Sequence, residues 1–133
     1  MRVLALDYGS ARCGCAISDP TGTLATPIAP VLRPASRKGF AALTALVRER
    51  EVGRVVVGLP LGLSGADTPQ TLEAREFAAR LDDAVDVPVS LYDERFTTAI
   101  AQRSGGAAAS EDSRAAAVLL EDWLARHAPE VAG

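Results

Sequence analysis

Histidine is almost absent from this chain: His127, close to the C-terminal end, is the only one. That excludes a Ser-His-Asp or Cys-His hydrolytic centre, which needs an imidazole to carry the proton. His127 stands where a helix is expected to end, a place that favours a cation, and it is assigned no catalytic role. Cysteine is nearly as scarce. Cys13 and Cys15 flank Gly14, too close along a strand for an ordinary disulfide. With no other Cys or His nearby they do not suggest a soft-metal site. They read as small apolar packing residues in a reducing cytoplasm. Long apolar runs are missing too, so no membrane span is expected. Met1-Arg2 leads straight into a strand, so no signal peptide is expected. Lysine is reduced to Lys38, every other basic side chain being arginine. A GC-rich genome is a simpler explanation of that bias than phosphate binding. The net charge of −3 argues against a surface that grips nucleic acid all over. Clustered carboxylates that hold cations would nonetheless reverse the sign locally.

What is present fits one globular domain over residues 1–133, long enough for a real core. Residues 3–8 read as a buried strand, and Cys13 to Ser18 as a second strand joined to it by a short loop, hence antiparallel. After the turn Asp19-Pro20-Thr21-Gly22 comes a third strand from Thr23 to Val31, which Pro27 and Pro30 mark as an edge. Ser36 caps a helix running to Arg50, with Phe40, Leu43, Leu46 and Val47 on one face. Arg54 to Leu59 is a continuous apolar run, as expected of a central parallel strand. A helix opens at Asp67-Thr68-Pro69 and turns Leu72, Phe77, Ala78 and Leu81 inward. Val87 to Tyr92 is the fifth strand and Phe96 to Arg103 a short helix. Ser104 to Ala109 is a loop. The last helix spans Ser110 to His127 with the stripe Ala116, Leu119, Leu120, Trp123 and Leu124. Three meandering strands followed by alternating strand and helix give an α/β fold, a mixed five-stranded sheet with helices on both faces.

The chemistry lies in carboxylates at the ends of these elements. Asp7 ends an apolar strand, where an unpaired charge would be very costly. Asp93-Glu94 follow the fifth strand, and ligands of open α/β sheets bind beyond the carboxyl ends of parallel strands. A solvated loop with a local Glu94–Arg95 pair is the simpler reading of that segment alone. Asp112 lies four residues before Ala116 and continues the apolar stripe of the last helix. A helix-start acid favoured by the macrodipole is the competing reading, and Glu111 fits it better than Asp112 does. Three carboxylates from distant segments supply hard oxygen donors, which suit Mg²⁺ or Mn²⁺. Two such ions roughly 3.5–4 Å apart would serve phosphodiester hydrolysis. Gly9, and Gly58 with Pro60, let the backbone turn tightly and allow a sugar–phosphate backbone to approach. Arg12 and Arg95 are candidates for phosphate contact. Thr97 and Thr98 either cap a helix or touch phosphate.

Together these segments resemble the YqgF/RuvX family, described as pre-16S ribosomal RNA nucleases or Holliday-junction-resolvase-like proteins with a ribonuclease H-like fold. The matching runs are Ala5-Leu6-Asp7-Tyr8-Gly9, then Arg12 with Gly14 to Asp19, then Val57-Gly58-Leu59-Pro60-Leu61 with Gly65. Tyr92-Asp93-Glu94-Arg95-Phe96-Thr97-Thr98 is the most specific, and Asp112 with Ala115-Ala116 and Leu119-Leu120 completes the order. The resemblance implies catalysis by Asp7, Glu94 and Asp112, with Asp7, Asp93, Glu94 and Asp112 as metal ligands and Glu94 favoured over Asp93. It also implies a nucleic-acid partner, precursor rRNA or branched DNA, and a bacterial cytoplasmic setting. Monomer and homodimer are both open, a dimer suiting a symmetric junction. One departure concerns residues 103–111, which hold no lysine where family members often carry several. Two rival readings stand beside the nuclease. One is a fragment of a sugar-kinase or actin-like ATPase, suggested by Asp7-Tyr8-Gly9-Ser10. The other is a binding or assembly factor without cleavage.

Overall fold

A computed structural model describes residues 1–62, 64–94 and 108–127, the last stretch with side chains from Ser113 onward. Five strands, β1 (Arg2–Asp7), β2 (Arg12–Ser18), β3 (Ala25–Leu32), β4 (Val52–Leu59) and β5 (Val89–Asp93), form one sheet in the order β3-β2-β1-β4-β5. β1 and β2 pair antiparallel, as do β2 and β3, whereas β1–β4 and β4–β5 are parallel. The three helices are α1 (Arg37–Glu49), α2 (Pro69–Ala84) and α3 (Ala108–Arg126).

Strand alternation divides the core in two. Leu4 and Leu6 of β1, Cys13, Cys15 and Ile17 of β2, and Val55 and Val57 of β4 pack against α1 and α2. Val3 and Ala5, Ala16 and Val56 point the other way, onto Ala116, Leu119, Leu120 and Trp123 of α3. Cys13 and Cys15 are buried on the first of these faces and form no disulfide.

β3 lies at the sheet edge, where its prolines can be accommodated. Its register slips between the pairs Cys13↔Val31 and Cys15↔Ile28, leaving Gly14 opposite both Ala29 and Pro30. Pro30 has no N–H to offer a ladder, so a bulge is a natural place for it. The Asp19 turn is tied by its own carboxylate, which accepts from the N–H groups of Thr23 (2.8 Å) and Leu24 (3.0 Å). Those bonds hold the Asp19 carboxyl well below the usual range.

Some boundaries and one face differ from the sequence-based expectation. Leu72 is exposed, and Thr71 is buried in its place. The buried face of α2 runs Thr71, Ala74, Phe77, Ala78, Leu81, a true i, i+3, i+4, i+7 stripe from which Leu72 is rotated away. The Thr71 hydroxyl is satisfied by donating to the Pro60 carbonyl (2.6 Å), and a reciprocal Thr68–Thr71 capping box closes the helix end. α3 starts at Ala108, inside the expected 104–109 loop; alanine is the strongest helix former. β5 begins at Val89 and extends to Asp93, because Pro88 cannot donate to the ladder and instead accepts from Val55 N (2.9 Å). The helix expected over 96–103 lies outside the described residues. Among the described residues no helix is long and apolar enough to cross a membrane.

Candidate active site

The parallel strands β1, β4 and β5 all end on one rim of the sheet, at Asp7, Leu59 and Asp93. On β1 the residues facing α3 are Val3, Ala5 and, by alternation, Asp7. On β4 they are Val56 and then Gly58. The position after Val56 on this face is therefore vacant of side chain, and the vacancy is used. A Cβ on Gly58 would lie 2.7 Å from the Glu94 carboxyl carbon and 2.7 Å from Leu119 Cδ1. Gly58 lies within β4, as the expected strand Arg54 to Leu59 has it, and pairs with Tyr92; it does not turn the chain, the role also expected of it. Its lack of a side chain makes the seat into which Glu94 folds.

Seated there, Glu94 shares a hydrogen bond with Asp7. Its carboxyl is pushed up to about 9, first by burial, then by the bond to Asp7, then by the charges of Asp7 and Asp93. One proton is thus held between two carboxyl groups on the rim. Asp93 falls in alternation with Val89 and Leu91, toward the α1–α2 side, and reaches Glu94 through its charge. The neighbouring strand position is fixed as well. The Tyr92 hydroxyl donates to Asp122 of α3, and burial together with that bond pushes its pKa up to about 12.

Asp112 belongs to the first part of α3, whose backbone is helical and whose side chain at this position lies outside the described residues. Its neighbour Ser113 locates it. Ser113 is buried, its Oγ accepts from Cys15 N (3.3 Å) and donates to the Ile28 carbonyl (2.7 Å). The hydroxyl is inserted in the β2–β3 ladder beside the bulge. Cys15 pairs with Leu6, the residue before Asp7, so α3 begins over the strand end that carries Asp7. The sequence offered no signal for Ser113 beyond its place next to Asp112. Gly58 did carry one: a glycine inside a valine run marks a close approach.

Gly9 and Arg12 stand at the same rim, in the β1–β2 connection. A Cβ on Gly9 would meet the Arg12 carbonyl at 2.7 Å, which accounts for the glycine by close backbone approach. Arg12 is exposed at the start of β2. Arg95, Thr97 and Thr98 lie outside the described residues. Tyr8 packs away from the carboxylates against Phe77, ring centroids 4.7 Å apart. His127 stacks on Trp123 at 4.2 Å, far from the rim in sequence and with its Nδ1 on the Trp123 carbonyl.

Whether a divalent cation fits rests on this donor set. Asp7 and Glu94 are both oxygen donors, adjacent, and at present joined by a proton that a cation would replace. Among the described residues no group of three His, Cys, Asp or Glu side chains could hold a metal ion; the third carboxylate of the expected set is Asp112.

The family model described as "RuvX: Holliday junction resolvase" matches residues 1–126. A protein named "Putative pre-16S rRNA nuclease" from Anaeromyxobacter dehalogenans is 41% identical, over 97% of this chain and all of its own length. A protein of the same name from Koribacter versatilis is 48% identical, over 77% of this chain and 67% of its own. Among solved structures, Thermus thermophilus RuvC superposes with a TM-score of 0.57 at 15% identity, covering 96% of this chain and 97% of that one. The fold is thus the ribonuclease H-like fold of RuvC. With the family model spanning every described element, the chain belongs to the RuvX family.

Proposed function

We propose that this chain is a divalent-metal-dependent nuclease that hydrolyses a phosphodiester bond in the 5′-end processing of precursor 16S rRNA. The observation that carries the reading is the Asp7–Glu94 pair seated on Gly58. Two carboxyl groups are pressed together there at a sheet rim, with burial that no structural need explains. The names of the relatives support the substrate.

Asp7, Glu94 and Asp112 would hold Mg²⁺ or Mn²⁺, as a pair of ions in the reading proposed, with Asp93 adding charge beside them. A bound ion supplies an activated water and offsets charge on the phosphodiester. Glu94 must release its proton to act as a ligand, so metal binding is pH-dependent. Gly9 keeps the β1–β2 connection low enough for a sugar–phosphate backbone to approach. Arg12 stands beside it as the proposed contact to a phosphate oxygen. Arg95, Thr97 and Thr98 complete the proposed substrate contacts. The buried, unbridged thiols of Cys13 and Cys15 support a cytoplasmic setting.

A second reading, cleavage of branched DNA, is favoured by the description of the family model. The test is cleavage of a 5′-extended 16S rRNA precursor beside a synthetic four-way DNA junction in Mg²⁺ and in Mn²⁺, with Asp7→Asn as control. RNA cleavage lost in the variant supports the first reading, and junction cleavage alone supports the second. Wild type and variant equally inert on both would replace the nuclease with a binding factor.

A further inference from the structure

At the far edge of the same rim, three basic side chains are gathered at one exposed corner. β3 runs to Leu32, which pairs with Arg12, so Arg33 emerges at the carboxylate end of the sheet. Arg33 stands level with Ala11, two strand spacings from β1 and three residues past the Asp7↔Gly14 pair, so it lies roughly 14 Å from Asp7. Arg33 is left-handed, φ 45°, an unfavourable conformation for a residue with a Cβ. It is nonetheless fixed: its N–H donates to the Ala11 carbonyl (2.9 Å), and its carbonyl accepts from Ser36 N (2.9 Å) and Ser36 Oγ (2.6 Å). Gly39 lets α1 close on this corner, since a Cβ there would meet the Leu32 carbonyl at 2.6 Å.

The first turn of α1 then presents Arg37 and Lys38 and no acidic residue. Cations at a helix N-terminus oppose the macrodipole, so this placement disfavours the free chain. Arg33, Arg37 and Lys38 are exposed, and among the described residues none of them forms an ion pair. A groove of about 650 Å³ lies beside Arg33 and Lys38, its floor formed by Pro30, Val31, Leu32 and Ala42. The clustered positive charge at the helix start is offset by one kind of ligand, a polyanion.

We propose that Arg33, Arg37 and Lys38 form a ledge that holds the phosphodiester backbone of a nucleic-acid strand as it crosses the rim toward Asp7 and Glu94. The proposal rests on the nucleic-acid reading of the carboxylate site and names where the strand is gripped. The ledge lies on the α1 side of the rim and the carboxylates on the α3 side, so a strand crossing the rim meets both.

The test is binding of a labelled single-stranded RNA and of a labelled four-way DNA junction, by fluorescence anisotropy in EDTA over a salt series. The double variant Arg37→Gln/Lys38→Gln is compared with Arg48→Gln/Arg50→Gln, which removes the same charge from the other end of α1. The ledge variant should lower the slope of log affinity against log salt by about 1.4 on RNA, at about 0.7 per lost phosphate contact. The control should leave the slope unchanged. Ledge neutralisation should also raise the thermal midpoint of the free chain. Arg33→Gly should weaken binding with the midpoint unchanged or raised, which a merely structural arginine would not do. A slope effect on one probe alone identifies the nucleic acid the ledge serves. Slopes that fall equally in control and ledge variants overturn the proposal, as does a wild-type chain that binds neither probe. No cleavage occurs in EDTA, so a chain that binds through the ledge yet cuts nothing keeps the ledge and loses only the nuclease assignment.

Discussion

On the α1–α2 side the sheet presents Leu4, Leu6, Val55 and Val57, backed by Leu43, Phe77 and Leu81. On the α3 side the corresponding positions are Val3, Ala5, Ala16 and Val56, followed at the rim by Asp7 and Gly58. The same strands therefore carry large side chains on one face and small ones on the other. Small residues let α3 settle close to the sheet, and at Gly58 the economy of volume becomes room for a carboxyl group. Stability and chemistry have been placed on opposite faces. The aliphatic face can be filled with bulk, whereas the site face depends on a few polar fixings and on what is left out.

The sharpest break in that comparison is Asp7→Asn. Cleavage should fall by more than about 100-fold, beyond the range seen when only an outer partner of a metal ligand is lost, while the fold is kept. In EDTA the variant should be slightly more stable than wild type, because it removes the charge that the partly buried pair carries. The pH dependence gives the sign. Glu94 stays protonated in the folded chain up to about 9 but ionises near its ordinary value of 4.5 when unfolded. The folded state therefore binds more protons between these values, and metal-free stability should decline as pH rises through that window. Asp7→Asn should make the decline shallower without abolishing it, since burial is the larger cause. Urea midpoints from pH 4.5 to 9 check this, and a clear destabilisation by Asp7→Asn would mark the aspartate as structural.

Leu6→Ala tests the other face. Leu6 neighbours Asp7 in sequence but is fully buried toward α1 and α2. Its truncation should cost about 3–4 kcal/mol by transfer and cavity terms. Cleavage per folded molecule should change little. Denaturant unfolding combined with a single-turnover assay separates the two, and a loss of activity beyond the loss of folded protein would show that the faces are not independent.

Gly58→Ala is the intermediate case, where packing and chemistry meet. The new methyl would crowd the Glu94 carboxyl and Leu119 Cδ1. Both are ends of flexible side chains and can swing aside, so the stability loss should be only about 1–2 kcal/mol. Activity should drop by about 10- to 100-fold, because Glu94 is moved off Asp7. Titration of the variant is the direct readout: Glu94 freed from its seat should return toward 4.5.

The readable and unreadable parts of this molecule follow the same division. Asp7, the Asp93-Glu94 pair and the edge position of β3 could be taken from sequence, because a charge ending an apolar strand and a proline in a strand are each costly unless explained. Leu72 misled because hydrophobicity was weighed above phase; the 71, 74, 78, 81 stripe already excluded it. Gly58 was placed in its strand but given a turning role, because its partner is Glu94, thirty-six residues on, and a seat for a side chain is visible only once that side chain is placed. Asp93 and Glu94 could not be told apart from composition, whereas strand alternation sends them to different sides.

Ser113 was the least readable of all and supports the smallest prediction. In sequence it is a serine near a helix start. In the structure its hydroxyl completes the β2–β3 ladder at the bulge that Pro30 creates, taking the N–H of Cys15 and giving to the carbonyl of Ile28. Ser113→Ala leaves the buried Cys15 N–H and the part-buried Ile28 carbonyl without that partner, at about 1–1.5 kcal/mol, near the lower end for such groups because the exposed edge strand can shift. Faster amide exchange at Cys15 should accompany the loss. Cleavage per folded molecule should fall modestly as well, because the same hydroxyl sets the backbone that carries Asp112. If stability falls while cleavage per folded molecule is untouched, the start of α3 is positioned by something other than Ser113, and the site face leans less on its polar fixings than argued above.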